Sequence, residues 1–261
     1  MWLFLWDSEP SKIFVGDTQI SKVFLWDTQV RPSGWKPDPT RTVFYYDFED
    51  SNNRLADSSW NNNNATGATN ITYSTVGTQT VAETTAGGGG ITIPQNLYGN
   101  IGTWDFALSF WLYCIDTTNT QYPMLFWLAT LTSPYPWINI FFNPRNAYNM
   151  GNATLWRLTW NNSQTGYKTA STLVWWWHHF VMTRNSWTVD CYIDATLDQT
   201  FTDNTSLPSY CWQNRMLSRV GNTSQSFPAW AKGDKYILEK VWWSSQDVTN
   251  YYNWTKWNYW L

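Results

Sequence analysis

Between Trp104 and Ile115 the chain reads WDFALSFWLYCI, with Phe106, Leu108, Phe110 and Leu112 all on one parity. A period of two is the mark of a strand with one buried face, whereas a helix stripe repeats every 3.6 residues. From Val43 onward similar apolar runs recur between polar turns: VFYYDFE, ITIP, PMLFWLATL, WINIFF, ATLWRLTW, HHFVMTR, TVDCYIDATL and KYILEKVWW. No long 3.6-period segment interrupts them, and SSQDVTNYYN near the end supplies one short helical turn at most. Many short strands with regular turn signals predict an all-β chain of two packed sheets, a β-sandwich. Composition agrees. Only 13% of residues are charged, and Asn, Thr, Ser and Gln fill the polar positions, which suits strands and loops better than exposed helices.

The first thirty residues are built differently. Residues 3–12 read LFLWDSEPSK, 13–22 IFVGDTQISK and 23–32 VFLWDTQVRP, a repeat of period ten. Apolar β-formers punctuated by Gly-Asp or Trp-Asp read as short strands joined by tight turns. Residues 1–32 are therefore expected to form a small β-hairpin repeat. Pro32, Gly34, Pro37 and Pro39 mark 33–40 as a linker, which leaves residues 41–261 as the main domain.

The formal net charge is -3, and no basic run occurs. A phosphate-tracking surface needs clustered Lys and Arg, so nucleic acid is not an expected partner. No uncharged apolar stretch is long enough to cross a bilayer, and no basic N-terminal stretch leads into an apolar run. A place outside the cell, on its surface or in a virion, would thus be reached without a visible signal peptide. Cys114, Cys191 and Cys211 are odd in number and lack CxxC spacing. Three buried thiols are expected rather than a zinc cluster or a disulfide framework.

The segment WHHFVMTRNSWTVDCYIDATL, Trp177 to Leu197, resembles the signature hairpin of the laminin-G-like, concanavalin A-like jelly-roll family. Trp177, His178, Tyr192, Ile193 and Asp194 match that family's pattern, and Ala195 stands where the family often has Gly. The opening YYDFEDSNNRLADSSWNNNNAT resembles the family's first strand and loop at Phe48, Asp57, Ser58 and Asn61. KYILEKVWWSSQDVTNYY resembles its last core strand at Ile237, Glu239 and Val241. The resemblance covers most of residues 43–255 and implies a concanavalin A-like jelly roll. The decamers are similar to short repeats found beside such domains in phage tail or surface proteins. A non-catalytic recognition module is then expected, binding carbohydrate or a cell surface, or contacting partner proteins of an assembly. A structural protein–protein module and a glycan hydrolase are the alternatives.

The hydrolase needs two carboxylates about 5 Å apart. Asp190 and Asp194, four apart on a strand-like segment, would stand roughly 13 Å apart, and Asp47, Glu49 and Asp50 read as edge or loop groups. His178 and His179 point to opposite faces of a strand, so they do not share a metal. Gly87 to Gly90 lack the Lys-Ser/Thr of a phosphate loop. Related domains often hold one Ca²⁺ with loop oxygens. The resemblance thus offers Asp57, Asn61, Asp203 and Asn204 as calcium donors; otherwise no cofactor is expected.

Tryptophan occurs 22 times and glycine 14. Gly16 occupies the repeat position held by Trp6 and Trp26. Trp60 and Trp187 sit in turns, and Trp35 follows Ser-Gly. Turns with φ > 0 favour Gly and strain a bulky aromatic. Trp6, Trp26, Trp60, Trp187 and Trp260 are consequently read as codons that the source decodes as Gly, while Trp111 and Trp177 fit strands as true tryptophans. An aromatic-rich glycan-binding surface is the competing reading.

Overall fold

The computed structural model describes residues 13–15, 18–20, 23–25, 28–30, 37–85, 89–95, 97, 105–114, 124–129, 136–143, 153–159, 163–169, 175–203, 206, 213–217 and 231–259. In 13–30 and 124–169 it describes the backbone, with the side chains of Phe126, Ile138 and Ile140 alone. The chain divides into two compact units, Met1–Pro37 and Asp38–Leu261.

In the first unit β1 (Ile13–Val15) pairs with β2 (Thr18–Ile20), and β3 (Val23–Leu25) with β4 (Thr28–Val30), both antiparallel. Val15↔Thr18 and Leu25↔Thr28 close the two ladders, so two residues connect the strands in each hairpin. The hairpins lie ten residues apart, at the period of the repeat. The first decamer lies outside the described residues.

The second unit is a two-sheet antiparallel β-sandwich of jelly-roll type. Its strands in chain order are β5 (Thr42–Tyr46), β6 (Gly67–Thr69), β7 (Ile71–Val76), β8 (Gln79–Thr84), β9 (Gly90–Thr92), β10 (Phe106–Cys114), β11 (Met124–Ala129) and β12 (Pro136–Asn143). There follow β13 (Ala153–Thr159), β14 (Ser163–Thr169), β15 (Trp176–Asn185), β16 (Thr188–Ile193), β17 (Thr196–Thr202), β18 (Gln213–Met216) and β19 (Lys232–Glu239). One sheet has eight strands, in the order β17-β16-β15-β10-β19-β8-β7, with β5 also pairing with β19. The other has seven, in the order β14-β13-β12-β11-β18-β9-β6.

The alternation in β10 decides which face is which. Phe106, Leu108, Phe110 and Leu112 are fully buried in the main core, together with Phe126, Ile138, Ile140 and Met216 of the facing sheet. Phe110 stacks on Phe126 across the gap, with centroids 6.3 Å apart. The intervening Ser109 and Trp111 face the other way and are buried too, because a helix covers them.

That helix corrects the expectation of a single turn. α1 (Ser245–Thr255) is eleven residues long and continues into a 3₁₀ turn at Lys256–Asn258. Its start is a capping box, Ser244 with Asp247, which satisfies two of the unpaired N–H groups at a helix N-terminus. Its hold on the sheet is aromatic. Trp111 donates Nε1–H to Thr255 Oγ1 at 2.9 Å and lies against the rings of Tyr252 and Tyr259. Trp177 also packs on Tyr259.

Two further differences are local. The run TVDCYIDATL is two strands, split at Asp194 and Ala195, which both have positive φ and make a two-residue hairpin turn. β6, β7 and β8 form in polar, Thr-rich sequence with little apolar alternation to announce them. Cys191 is a buried free thiol, and burial pushes its pKa well up. The side chains of Cys114 and Cys211 lie outside the described residues.

Candidate functional site

The loop after β5 is pinned by one carboxylate. Asp57 Oδ1 accepts the backbone N–H of Tyr45 and of Ser59, both at 2.9 Å, and its Oδ2 accepts that of Asn63 at 3.0 Å. Asn64 Oδ1 returns the favour to Asp57 N at 2.8 Å. Charge-assisted bonds of this kind hold a loop without help from a core.

The pinned loop presents two asparagines. Asn61 donates Nδ2–H to the carbonyls of Pro39 and Thr42, and Asn63 donates Nδ2–H to the carbonyl of Val43. A carbonyl can only accept, so these contacts fix which way each amide faces. Both Oδ1 atoms are left without a donor among the described residues. Lys240 joins them from the end of β19, where its N–H bonds to Arg41 O, and its ammonium has no carboxylate partner among the described residues. These side chains line a pocket of about 240 Å³, completed by Pro39, Thr42, Val43 and Leu97. The lining is almost wholly polar, and hydrogen-bond acceptors beside a cationic donor can orient a small polyhydroxylated molecule. The volume is below the roughly 300–1,000 Å³ of drug-sized sites, which suits one sugar ring.

Of the calcium candidates, Asp57 and Asn61 thus come together in one loop. Asp203 is elsewhere, buried beyond β17 with its N–H on Trp187 O, and Asn204 lies outside the described residues. No group of three or more His, Cys, Asp or Glu side chains among the described residues could hold a metal ion.

The signature residues have structural roles. Trp177 packs between Tyr113 and Tyr259. His178 Nδ1 lies 2.7 Å from Asp194 Oδ2, while Asp194 Oδ1 accepts the N–H of His179. Tyr192 is buried in β16, opposite Val181. The histidines do point to opposite faces. His179 is fully buried beneath α1, stacked on Trp111 and bonded to Ser109 Oγ at 2.7 Å, and burial pushes its pKa down to about 3. A serine–histidine pair sealed from water in this way has no path to a substrate.

The acidic groups are occupied in turns. Asp47 accepts from Ser58 and from Glu49 N, Glu49 from Thr80 N, Asp50 from Asn52 N, and Asp190 from Thr200. Asn63 and Lys240 were not legible as site residues. Asn63 sits inside the run of four asparagines, which reads as a turn, and Lys240 follows the apolar pattern of β19 without a motif of its own.

No protein-family model matches the chain, and neither does any curated protein sequence. Solved structures do match in fold. The chain superposes on Domain 4 of AbnA, a GH43 extracellular arabinanase from Geobacillus stearothermophilus solved with arabinotriose. The TM-score is 0.60 at 19% identity, over 80% of this chain and 97% of that one. It superposes equally on the binding domain of Paraclostridial Mosquitocidal Protein 1, with TM-score 0.60 at 15% identity over 82% of this chain and 52% of that one. The ligand-binding domain of botulinum neurotoxin serotype D, solved with N-acetylneuraminic acid, gives 0.61 at 14% identity over 83% and 51%. The chain spans about half the length of these toxin domains. At such identities the likeness establishes the fold: a jelly-roll-like β-sandwich resembling known carbohydrate- and receptor-binding domains.

Proposed function

We propose that this chain is a non-catalytic recognition module that binds carbohydrate on a cell surface, with residues 41–261 carrying the site. The observation that carries the reading is that Asn61, Asn63 and Lys240 line one small pocket, with no donor to either amide oxygen and no carboxylate on the ammonium among the described residues. The hairpin decamers support a setting in a phage tail or surface assembly, where they would join the module to its neighbours.

The test is a binding screen against bacterial cell-wall and capsular glycans. Saturable binding is expected, weakened about tenfold or more when Lys240→Met and Asn61→Ala remove a charged donor and an acceptor together. It is expected to proceed without added Ca²⁺, because both oxygens of Asp57 are engaged by backbone N–H groups. No binding to any glycan by a folded wild type would favour a structural, protein–protein role.

We further propose that the source decodes several tryptophan codons of this chain as Gly. Trp60 has φ of 64° with 59% of its surface exposed, and Trp175, not singled out by sequence, has φ of 67° with 56% exposed. Trp187 is exposed as well, but in its hairpin Ser186 takes the left-handed position, with φ of 55°. Trp6, Trp26 and Trp260 lie outside the described residues. Trp111 and Trp177 pack in the aromatic layer under α1. Left-handed backbone costs a non-glycine residue roughly 1–2 kcal/mol. Trp60→Gly and Trp175→Gly are each expected to raise the melting temperature by about 2–4 °C, and Trp187→Gly to leave it nearly unchanged. Thermal melts showing both left-handed variants less stable than wild type would count against the reading.

A further inference from the structure

The chain as a whole is acidic, yet the pocket beside the Asp57 loop is not. Of the seven residues that line it, Lys240 alone is charged. Carboxylates beside the lining residues are held elsewhere. Both oxygens of Asp57 take backbone N–H groups. Glu239 meets Arg41 and accepts from Thr42 and Trp243, and Asp38 Oδ1 accepts both the N–H and the hydroxyl of Thr40.

The other lysines whose side chains are described are all engaged. Lys232 reaches Glu83 at 3.4 Å, Lys235 donates to Gln79 Oε1 at 2.6 Å, and Lys256 lies over the rings of Tyr252 and Trp257. Lys240 differs from them: half-buried, it is fixed through its backbone to Arg41 O, with no partner for the ammonium among the described residues. Donors and acceptors then sort a ligand. A sugar hydroxyl can donate to the amide oxygen of Asn61 or Asn63, whereas an acid group only accepts and is repelled by those oxygens. Lys240 is the one side chain of the lining whose charge attracts it. A single ammonium matches a single negative charge. A phosphate monoester, at roughly −1.5 to −2, would leave part of its charge unbalanced.

We infer that the pocket selects a sugar carrying one negative charge, a carboxylate or a sulfate group, with Lys240 receiving the acid and the asparagine oxygens facing hydroxyls. The inference rests on the reading of this pocket as a sugar site and adds the chemical class of the sugar.

The experiment is a titration, followed by protein NMR, with glucose, galactose and mannose, with their uronates and with their 6-sulfates. At least one acidic form is expected to bind about tenfold or more tightly than its neutral parent. Whether uronate or sulfate binds better identifies the source of the charge. Raising NaCl to about 1 M should shrink the preference, because the Debye length falls to about 3 Å. Lys240→Gln, which keeps a donor but removes the charge, should abolish it, and Lys240→Arg should retain it. Both variants should keep the wild-type melting temperature, since the Lys240 ammonium has no partner among the described residues to lose. Equal binding of neutral and acidic forms at a site that Asn61→Ala weakens would overturn this inference and leave the sugar site standing. A preference that survived Lys240→Gln would overturn it as well. No binding of any of these sugars by a folded wild type would sink both readings.

Discussion

Replacing Asp234 with asparagine should make the stability of this domain rise with pH between about 4 and 6.5, and replacing His179 with glutamine should make it fall over the same range. The two groups flank Trp111 in register, Asp234 on β19 and His179 on β15, and both are fully buried. Asp234 accepts the Tyr259 hydroxyl at 2.6 Å and the Lys235 N–H at 2.7 Å, yet burial pushes its pKa up to about 7. Burial pushes His179 down to about 3.

The signs are opposite. A carboxyl whose folded pKa is raised keeps its proton in the native state while the unfolded chain has lost it, so stability drops as pH rises from 3.8 to about 7. A histidine whose folded pKa is depressed stays neutral while the unfolded chain is protonated, so stability drops as pH falls from 6.5 to about 3. Each slope is about 1.4 kcal/mol per pH unit. In the wild type they cancel where they overlap. Removing either leaves the other, a change of roughly 3 kcal/mol across the overlap. Glutamine at 179 can still bond Ser109, and asparagine at 234 can still accept from Tyr259, so the pH dependence is separable from lost packing. Urea melts of wild type and both variants at several pH values would decide it. Two variants with the same slope relative to wild type would refute the opposition.

Much of the sandwich was legible because burial leaves a period of two in the sequence. β10 carries it openly, while its register neighbours β15 and β19, buried on both faces, read as short apolar runs that share the same core. The parts that were missed obey other rules. β7 and β8 are held by backbone pairing and by contacts such as Ser74 with Glu83, so no apolar alternation marked them. α1 has only Val248, Tyr251 and Thr255 buried, too sparse a stripe to read as a helix, although Ser244 and Asp247 spell a capping box. The site was half legible. The Asp57–Asn61 loop was singled out for its oxygens, but what makes the pocket is the direction in which each amide is turned. Backbone carbonyls more than 18 residues away in sequence set that direction, Pro39 and Thr42 for Asn61 and Val43 for Asn63.

Phe110→Ala should be the most damaging single substitution in the core, costing about 3–5 kcal/mol. Hydrogen bonds hold strands together within a sheet, but the two sheets of a sandwich are held to each other by side chains. Phe110 sits where that contact is densest. Its ring lies 5.1 Å from Tyr236 and 5.4 Å from Phe180 in its own sheet, and 6.3 Å from Phe126 in the other. All four side chains are fully buried. Alanine would open a cavity between three rings that β-sheet backbones cannot close by sliding, because the ladders on both sides of β10 fix its register. A loss of that size is a large share of the roughly 5–15 kcal/mol that stabilises a typical domain. Phe110→Leu, which keeps most of the volume, should cost much less. Trp187→Ala, at a turn residue with 63% of its surface exposed, should change stability by less than about 0.5 kcal/mol. Denaturant midpoints rank the three. If Phe110→Ala shifted the midpoint no more than Trp187→Ala does, the two sheets would have to be joined somewhere other than the Phe110–Phe126 contact.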